Sequence, residues 1–339
     1  MTPNWFAAVM GTGIVSVMAA ALPSDVAAAP AVATVFAILA SMLLAVLTTA
    51  LAVTWIRSPE SAATDARSPH MFPFYGAVSM AFMTVASAVH HHAPVAVTVA
   101  LWSIGTALGL VTYVVMATRL RNGYPSAPTT VWLMPLVPPM VSATGGAGIA
   151  QHVPSGAPHV AILLASYGLF VLALAGAIPT MLIVGRNMLR NGLPEVSTTP
   201  TLWIPLGVVG QSVAAANLLA QDTDNRWLRD FGLVYGCVIG AVGIVALGAV
   251  ATITVGAFAN GLRFNPGWWS FTFPLGACAL GANSLGTAAG WNALHTAALV
   301  MLSALILIWA TVARGSVRHF LTQVELGRPI DSGPAPQRR

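Results

Sequence analysis

The stretch "GWWSFTFPLGACALG", residues 267–281, decides how the rest of the sequence is interpreted. It carries no charge and combines aromatic rings with small residues, as a membrane-spanning segment does. Pro274 stands inside it, directly after Phe273. Because proline lacks a backbone N–H, it interrupts a regular helix. The stretch therefore predicts a broken membrane helix with a bulky ring beside the break.

The composition of the whole chain supports a membrane setting. Of the 339 residues, 57% are hydrophobic and 7% are charged, whereas a typical soluble domain has about 25% charged residues. Such a chain cannot cover a water-facing surface, so we predict an all-α integral membrane protein. The two cysteines, Cys237 and Cys278, form no metal or redox motif.

Ten segments approach the length of about 20 apolar residues that a helix needs to cross a bilayer. The predicted spans are 4–22, 30–56, 71–89, 94–118, 129–150, 158–184, 201–220, 230–257, 267–287 and 291–313. We expect one transmembrane domain over residues 1–313. Residues 314–339 are expected to form a cytoplasmic C-terminal tail that is partly disordered.

Arginine placement predicts the orientation of the spans. Twelve of the 14 basic residues, all arginines, lie in the tail or in loops that follow even-numbered spans. Because cytoplasmic loops carry an excess of basic residues, both termini are expected in the cytoplasm of a cell with this protein in its inner or plasma membrane. The net charge of +5 then reflects topology, and we predict no nucleic-acid partner.

The odd-numbered spans share a pattern that the even-numbered spans lack. Each opens with an aromatic residue, continues with a proline or glycine break, and then becomes rich in small and hydroxyl residues. The openings are Trp5, Phe72, Trp132, Trp203 and Trp268. A repeat of about 65 residues indicates one helical hairpin per unit. We expect five hairpins with the broken helices inside, enclosing a pore, although small residues also serve helix packing alone.

The pattern nominates candidate residues for that pore. The predicted helix breaks, besides Pro274, are Gly11, Gly13, Pro73, Pro135 and Pro205. The predicted lining hydroxyls are Thr12, Ser16, Ser79, Ser142, Ser212, Thr272 and Ser284. The predicted cytoplasmic mouth carries Arg57, Arg119, Arg186 and Arg263, although the positive-inside rule alone would place arginines there.

The odd-numbered spans hold no Asp, Glu, Lys or Arg in their apolar cores. A proton-coupled pump usually places an ionisable relay within the membrane, and a tight dicarboxylate site favours an arginine clamp. The remaining compensation for a permeant ion is partial charge from hydroxyls, amides and helix N-termini. Such a pore binds weakly and favours anions, because the N-terminal ends of its helices face the arginine-rich mouth.

Histidines occur in two places that bear on function. The tract His90–His92 follows the third span, where no carboxylate or cysteine stands nearby, so we expect an exposed loop rather than a metal site. His295 is expected to be an interfacial packing residue rather than a proton relay. No metal, cofactor or catalytic residue is predicted.

Three stretches carry a resemblance to a known family. "NWFAAVMGTGIVS", "WLMPLVPP" and "WWSFTFPLGA" resemble the tellurite-resistance/dicarboxylate transporter family, which includes malate permeases, sulfite efflux pumps and plant slow anion channels. The resemblance covers residues 4–313. It implies ten helices in a quasi-fivefold ring of hairpins, a homotrimer, and a pore plugged by the phenylalanine that matches Phe273. From the residues alone, Phe273 reads as a core aromatic packed at a kink.

The predicted function is a passive or weakly coupled anion channel or transporter gated by Phe273 and Pro274. Malate-like C4-dicarboxylates are expected on the resemblance alone; sulfite, tellurite, chloride and nitrate stay open. One alternative is a proton-coupled sulfite or tellurite efflux carrier of the same fold. Another is a membrane enzyme or metal-binding protein that uses His90–His92, although the spans lack the paired acidic residues of many enzymes.

Overall fold

The described part of the chain is helical throughout. A computed structural model describes residues 1–23, 26–221, 223 and 225–325, and the end of the predicted tail, 326–339, lies outside them. Within these ranges the α-helices are α1 Phe6–Ala20, α2 Ala29–Arg57, α3 Pro59–Arg67, α4 Tyr75–Val89, α5 Val95–Arg121, α6 Pro138–Ala150, α7 Ala157–Asn191, α8 Ile204–Gln221, α9 Arg226–Ala259, α10 Thr272–Ala289 and α11 Asn292–Glu325.

Eight helical segments of the described chain are long and apolar enough to cross a membrane. They contain α1, α2, α4, α5, α7, α8, α9 and α11. The segments with α6, which has 13 residues, and α10, which has 18, fall outside this set. These helices confirm the prediction of an all-α membrane protein.

A short 3₁₀ turn precedes five of the helices, α1, α4, α6, α8 and α10. These turns are Pro3–Trp5, Phe72–Phe74, Thr130–Leu133, Val196–Trp203 and Pro266–Phe271. They coincide with the aromatic openings of the predicted odd-numbered spans. The sequence repeat therefore has a structural counterpart in the way these helices begin.

The prolines of the predicted breaks lie at these helix starts. Pro205 is the second residue of α8, and Pro274 is the third residue of α10. Pro73 lies within a 3₁₀ turn, and Pro135 lies between a turn and α6. Backbone N–H groups in the first turn of a helix lack partners within that helix, so proline is tolerated there. The interruption is a change from 3₁₀ to α-helix, which corrects the expected kink inside a continuous span.

Gly11 and Gly13 do not break α1, which runs unbroken from Phe6 to Ala20. A Cβ atom on Gly11 would overlap the side chain of Thr272, and one on Gly13 would lie 2.8 Å from Cγ2 of Thr84. Both glycines are therefore sites of close helix approach. Their prediction as helix breaks is wrong, because a glycine that packs against a neighbour keeps its helical hydrogen bonds.

Burial separates the helices into two layers. In an apolar 18-residue stretch of each segment containing α1, α4 and α8, 72% to 78% of the residues are buried, and most residues of α6 and α10 are buried as well. In the corresponding 18-residue stretches of α2, α5, α7, α9 and α11, only 11% to 28% of the residues are buried. We call the first five the inner helices and the second five the outer helices. The outer helices expose large apolar side chains, as lipid-facing helices do.

Contacts among the inner helices run from each helix to the next. α1 packs against α4, α4 against α6, α6 against α8, α8 against α10, and α10 against α1. Each outer helix packs on the inner helix that precedes it in sequence, so that α2 lies on α1 and α11 lies on α10. The inner helices consequently have protein on most sides.

Two segments differ from the sequence expectations. The loop predicted after the second span contains α3, which begins at Pro59, a residue well suited to the first helical position. The last predicted span and the start of the tail form one continuous helix, α11, through Glu325. The first part of the predicted tail, residues 314–325, is therefore helical and continuous with the last predicted span.

Candidate functional site

A small apolar cavity of about 40 Å³ surrounds Phe273. Phe273 is the second residue of α10 and is 6% exposed. Three methionines share the cavity with it: Met10 of α1, Met80 of α4, and Met134 ahead of α6. The remaining lining residues are Ala7, Val137, Ile204, Gly207, Trp269, Ser270 and Pro274. Each inner helix, or the segment that leads into it, therefore contributes to this inner cavity.

The lining of the inner cavity contains no charged side chain among the described residues. A hydrated ion loses its water in such a space without receiving a compensating charge. Apolar constrictions of this kind close pores by excluding water. The geometry around Phe273 is therefore that of a hydrophobic barrier, to which Phe273 and Trp269 contribute the aromatic rings.

A second cavity, of about 290 Å³, lies toward the C-terminal ends of the inner helices. All five contribute to it, and Trp102 and Thr98 of α5 complete one side. Its polar lining residues are Ser87, His90, His91, Thr98, Thr144, Gln151, His152, Gln221, Asn283, Ser284 and Thr287. This outer cavity is therefore much more polar than the inner one.

One face of α10 contributes to both cavities. Phe273 lines the inner cavity, and Leu280, Ser284 and Thr287 line the outer one. Their separations of seven, four and three residues keep them on one side of an α-helix. Phe273 and Ser284 are 11 residues apart, which corresponds to about 16 Å along a helix.

Three of the seven predicted lining hydroxyls bond to residues of the outer helices. Ser16 Oγ donates to the carbonyl of Ala33 on α2 at 2.7 Å. Thr12 Oγ1 accepts from Trp309 Nε1 of α11 at 2.9 Å. Ser142 shares a short hydrogen bond with Thr106 of α5. These three groups join the two layers and do not line either cavity.

The other four predicted hydroxyls bond to carbonyls within their own segments. Ser79 donates to Gly76, Ser212 to Val209, Thr272 to Trp269, and Ser284 to Gly281, at distances of 2.7 to 3.1 Å. Such bonds to the preceding turn are typical of Ser and Thr in apolar helices. Of all seven, Ser284 lines the outer cavity.

Comparison with known proteins identifies the family. Residues 1–317 match the family described as SLAC1, voltage-dependent anion channel. The chain belongs to this family. The expected resemblance is thereby confirmed, and the family is one of channels and transporters of anions, not of enzymes.

The individual relatives have low sequence identity to this chain. A sulfite efflux pump SSU1 from Trichophyton rubrum is 24% identical over 311 residues, covering 84% of this chain and 81% of the relative. An uncharacterized transporter, MJ0576, from Methanocaldococcus jannaschii is 23% identical over 291 residues, covering 81% of this chain and 80% of the relative. Both similarities extend over most of the membrane region.

The four arginines predicted at the mouth of this anion-channel family member lie at or just beyond the ends of outer helices. Arg57, Arg186 and Arg263 are exposed, whereas Arg119 is partly buried. The Arg119 guanidinium lies 4.0 Å from the ring centre of Phe72 and donates to the carbonyl of Ala66 at 3.2 Å. None of the four lines the inner cavity. Arg119 thus anchors the helix start at Phe72, and the other three face outward.

Three histidines meet at the rim of the outer cavity. His90 follows the last residue of α4, and its Nε2 lies 2.9 Å from Nδ1 of His152. The ring of His91 lies within 6.5 Å of both. Burial, together with His152 and His91, lowers the pKa of His90 to about 4. Sequence reasoning missed this cluster because His152 is far from the tract, whereas His92 of the tract is exposed and does not line the cavity.

The described residues contain no group of three or more His, Cys, Asp or Glu side chains placed to hold a metal ion. His295 Nδ1 lies 2.9 Å from Asn283 Oδ1. Asn283 Nδ2 in turn donates to the carbonyl of Ala21 at 2.8 Å. This network fixes the orientation of Asn283, which lines the outer cavity.

Two groups in or beside the cavities were not among the predicted lining residues. The methionines Met10, Met80 and Met134 are ordinary core residues by sequence, and only the shared cavity relates them. Thr144 and Gln211 are polar residues of the inner helices that bond to each other at 2.9 Å. The available signal for Thr144 and Gln211 is that both are polar residues within the otherwise apolar odd-numbered spans.

Proposed function

We propose that this chain conducts small anions across the membrane through the space between its five inner helices, with Phe273 closing that path at rest. The observation that carries the proposal is that all five inner helices, with the segments that lead into them, line both the inner and the outer cavity. A path along their common axis would join the two cavities. The apolar inner cavity around Phe273 would then be its barrier.

The proposed architecture is a quasi-fivefold ring of five helical hairpins that together make ten membrane crossings. The sequence of inner-helix contacts, which returns from α10 to α1, supports the ring. We propose that α6 and α10 complete their crossings with the 3₁₀ turns before them. We also propose a homotrimer in the lipid bilayer of the inner or plasma membrane, with both termini in the cytoplasm.

Electrostatics supports anions as the permeant species. The inner helices begin at the end where Phe273 lies, and helix N-termini carry partial positive charge. Arg57, Arg119, Arg186 and Arg263 add full charges around this proposed mouth. None of the described residues that line the inner cavity is an arginine, so weak binding with rapid passage is the proposed mode.

For the substrate, we propose a small inorganic anion such as sulfite. The relatives named as sulfite efflux pumps support this choice. The small volume and apolar lining of the cavity around Phe273 also favour a small ion. C4-dicarboxylates such as malate, together with tellurite, chloride and nitrate, belong in the same test panel.

Replacement of Phe273 by alanine tests the gate. In proteoliposomes, Phe273→Ala should raise anion conductance at least about tenfold, equivalent to about 1.4 kcal/mol in an open–closed equilibrium. The matched control is Phe271→Ala, since Phe271 is also buried near the start of α10 but packs against Trp203 and does not line the cavity. A folded Phe273→Ala protein that conducts no more than wild type would show that the barrier lies elsewhere.

A proton-coupled carrier is the second candidate function. The observation that motivates it is the contact between the His90 and His152 imidazoles at the rim of the outer cavity, because histidine side chains serve as proton relays in some transporters. We expect a passive channel to show no uphill anion flux when a proton gradient is imposed without membrane potential. Uphill flux that disappears in His90→Gln would favour the carrier.

A further inference from the structure

Gln211 is an amide almost completely enclosed in the middle of α8. It is 2% exposed. Its Oε1 lies 2.9 Å from Oγ1 of Thr144, a residue of α6 that lines the outer cavity. A buried polar side chain normally has its hydrogen-bonding groups satisfied. The structure gives the Nε2 atom of Gln211 no hydrogen-bond partner among the described residues.

Gln211 lies on the face of α8 that links the two cavities. Gly207 lines the inner cavity, whereas Leu218 and Gln221 line the outer one. Gln211 follows Gly207 by four residues and precedes Leu218 by seven, so all of them share one side of the helix. Gln211 itself lines neither cavity, but it lies between them along α8 and bonds to Thr144, which lines the outer one.

Thr144 can hold the amide in one orientation. Its hydroxyl carries a single proton and has two acceptors in reach, Gln211 Oε1 at 2.9 Å and the Met140 carbonyl at 3.1 Å. When the proton goes to Oε1, the oxygen of the amide is fixed and both N–H groups of Nε2 remain free. An anion between the cavities selects this orientation, because it accepts hydrogen bonds and repels the amide oxygen.

We propose that Gln211, positioned by Thr144, is the hydrogen-bond donor that receives a small oxyanion between the inner and outer cavities. This inference rests on the proposed anion path. The residues around it at the inner end are apolar, so a neutral donor here replaces part of the lost hydration. Because the donor carries no net charge, it holds the ion weakly enough for the ion to leave.

Selectivity tests this site. A strongly hydrated oxyanion such as sulfite depends on the donor, whereas weakly hydrated thiocyanate crosses apolar regions more readily. In Phe273→Ala proteoliposomes, Gln211→Met should lower sulfite permeability relative to thiocyanate by about tenfold, as expected for a lost hydrogen bond to a charged group. Thr144→Val should give a smaller change in the same direction, and Thr144→Ser should restore the original ratios.

The matched control is Asn217→Leu in the same background. Asn217 is another buried amide of α8, but it lies against Gly236 of α9 and bonds to the carbonyl of Val213. Its loss should leave the permeability ratios unchanged. If Gln211→Met does not assemble, Gln211→Leu is measured in the same way, and similar ratios in either variant and the Phe273→Ala parent overturn the role of Gln211.

Two further outcomes are decisive. Higher sulfite flux in Gln211→Met would mean that the amide oxygen faces the path, which overturns the donor site while leaving the anion channel intact. No anion current in a folded Phe273→Ala parent overturns the proposed function and the donor site together. The parent measurement thus separates failure of the path from failure of the site.

Discussion

At the residue scale, Phe273 shares its cavity with flexible side chains. Met10, Met80 and Met134 are unbranched and can repack into a space that a ring vacates. Repacking of these side chains fills only part of the space that the ring leaves. It therefore limits the increase in conductance expected for Phe273→Ala without abolishing it.

His90 gives the fold a pH dependence with a definite sign. Burial and the two neighbouring imidazoles lower the pKa of His90 to about 4 in the folded protein, whereas an unfolded chain protonates histidine near its ordinary pKa of about 6.5. Between these values the unfolded state binds more protons. The free energy of unfolding should therefore decrease as the pH falls from about 6.5 toward 4.

Thermal unfolding of the purified protein at about pH 7.5 and about pH 5 measures this effect. His90→Gln should reduce the difference in stability between the two conditions, because glutamine does not titrate. His92→Gln is the control, since His92 lies in the same tract but is exposed and outside the histidine cluster. An unchanged pH dependence in His90→Gln would contradict the assigned environment of His90.

Individual side-chain directions were the least predictable part of the site. Ser16 and Ser142 occur in the inner helices as expected, but their hydroxyls bond to α2 and α5. A buried hydroxyl in an apolar helix donates to a nearby carbonyl. The position of the adjacent outer helix determines which carbonyl is near enough to accept. Sequence spacing within one helix does not contain that information. Phe273, in contrast, could be nominated because its motif carried a family resemblance.

At the scale of elements, close glycine contacts join α8 to α10. A Cβ on Gly210 would overlap the backbone of Ala277 and Cys278, and one on Gly281 would lie 2.7 Å from the Gly210 carbonyl oxygen. The neighbouring atoms are backbone and cannot rotate away. The two helices depend on the absence of a side chain at these positions.

Gly210→Ala should therefore destabilise the fold. Overpacking in a tight interior costs about 1–3 kcal/mol, and a clash with backbone belongs at the upper end. Gly248→Ala on α9 is the control, because a Cβ there has no atom within 4 Å. Thermal unfolding in detergent should show a lower midpoint for the first variant only. Equal unfolding midpoints for the two variants would mean that α8 and α10 can move apart without loss of stability.

The sequence predicted an interruption at the start of each inner helix, but it did not predict that the interruption is a 3₁₀ turn. The aromatic and proline openings recur along the sequence, and a 3₁₀ turn precedes every inner helix. The sequence predicts a kink at Pro274 because apolar residues continue on both sides of it. The boundary between 3₁₀ and α-helix depends on backbone hydrogen bonding, which composition does not reveal.

At the scale of the whole molecule, the two layers follow from the two kinds of sequence. Leu- and Val-rich helices can face lipid, and helices rich in small residues can pack closely around one another. The exposure of Val245 on α9 and Leu307 on α11, at 74% and 70%, agrees with an outer layer that lipid covers. The arrangement around a pore remains a proposal that accessibility to water can test.

Cysteine labelling provides that test in a variant without Cys237 and Cys278. Thr287→Cys lies in the outer cavity, and Val245→Cys and Leu307→Cys lie on exposed faces of outer helices. A charged, membrane-impermeant thiol reagent should modify Thr287→Cys from the side opposite both termini. It should modify the other two very slowly, because thiols in hydrocarbon neither ionise nor meet the reagent.

Surface exposure alone would predict the reverse order, since Val245 and Leu307 are among the more exposed side chains. Faster labelling of Val245→Cys than of Thr287→Cys would therefore show that water lies outside the helices, which contradicts a pore between them. Labelling of Thr287→Cys from the side of the termini would reverse the proposed orientation.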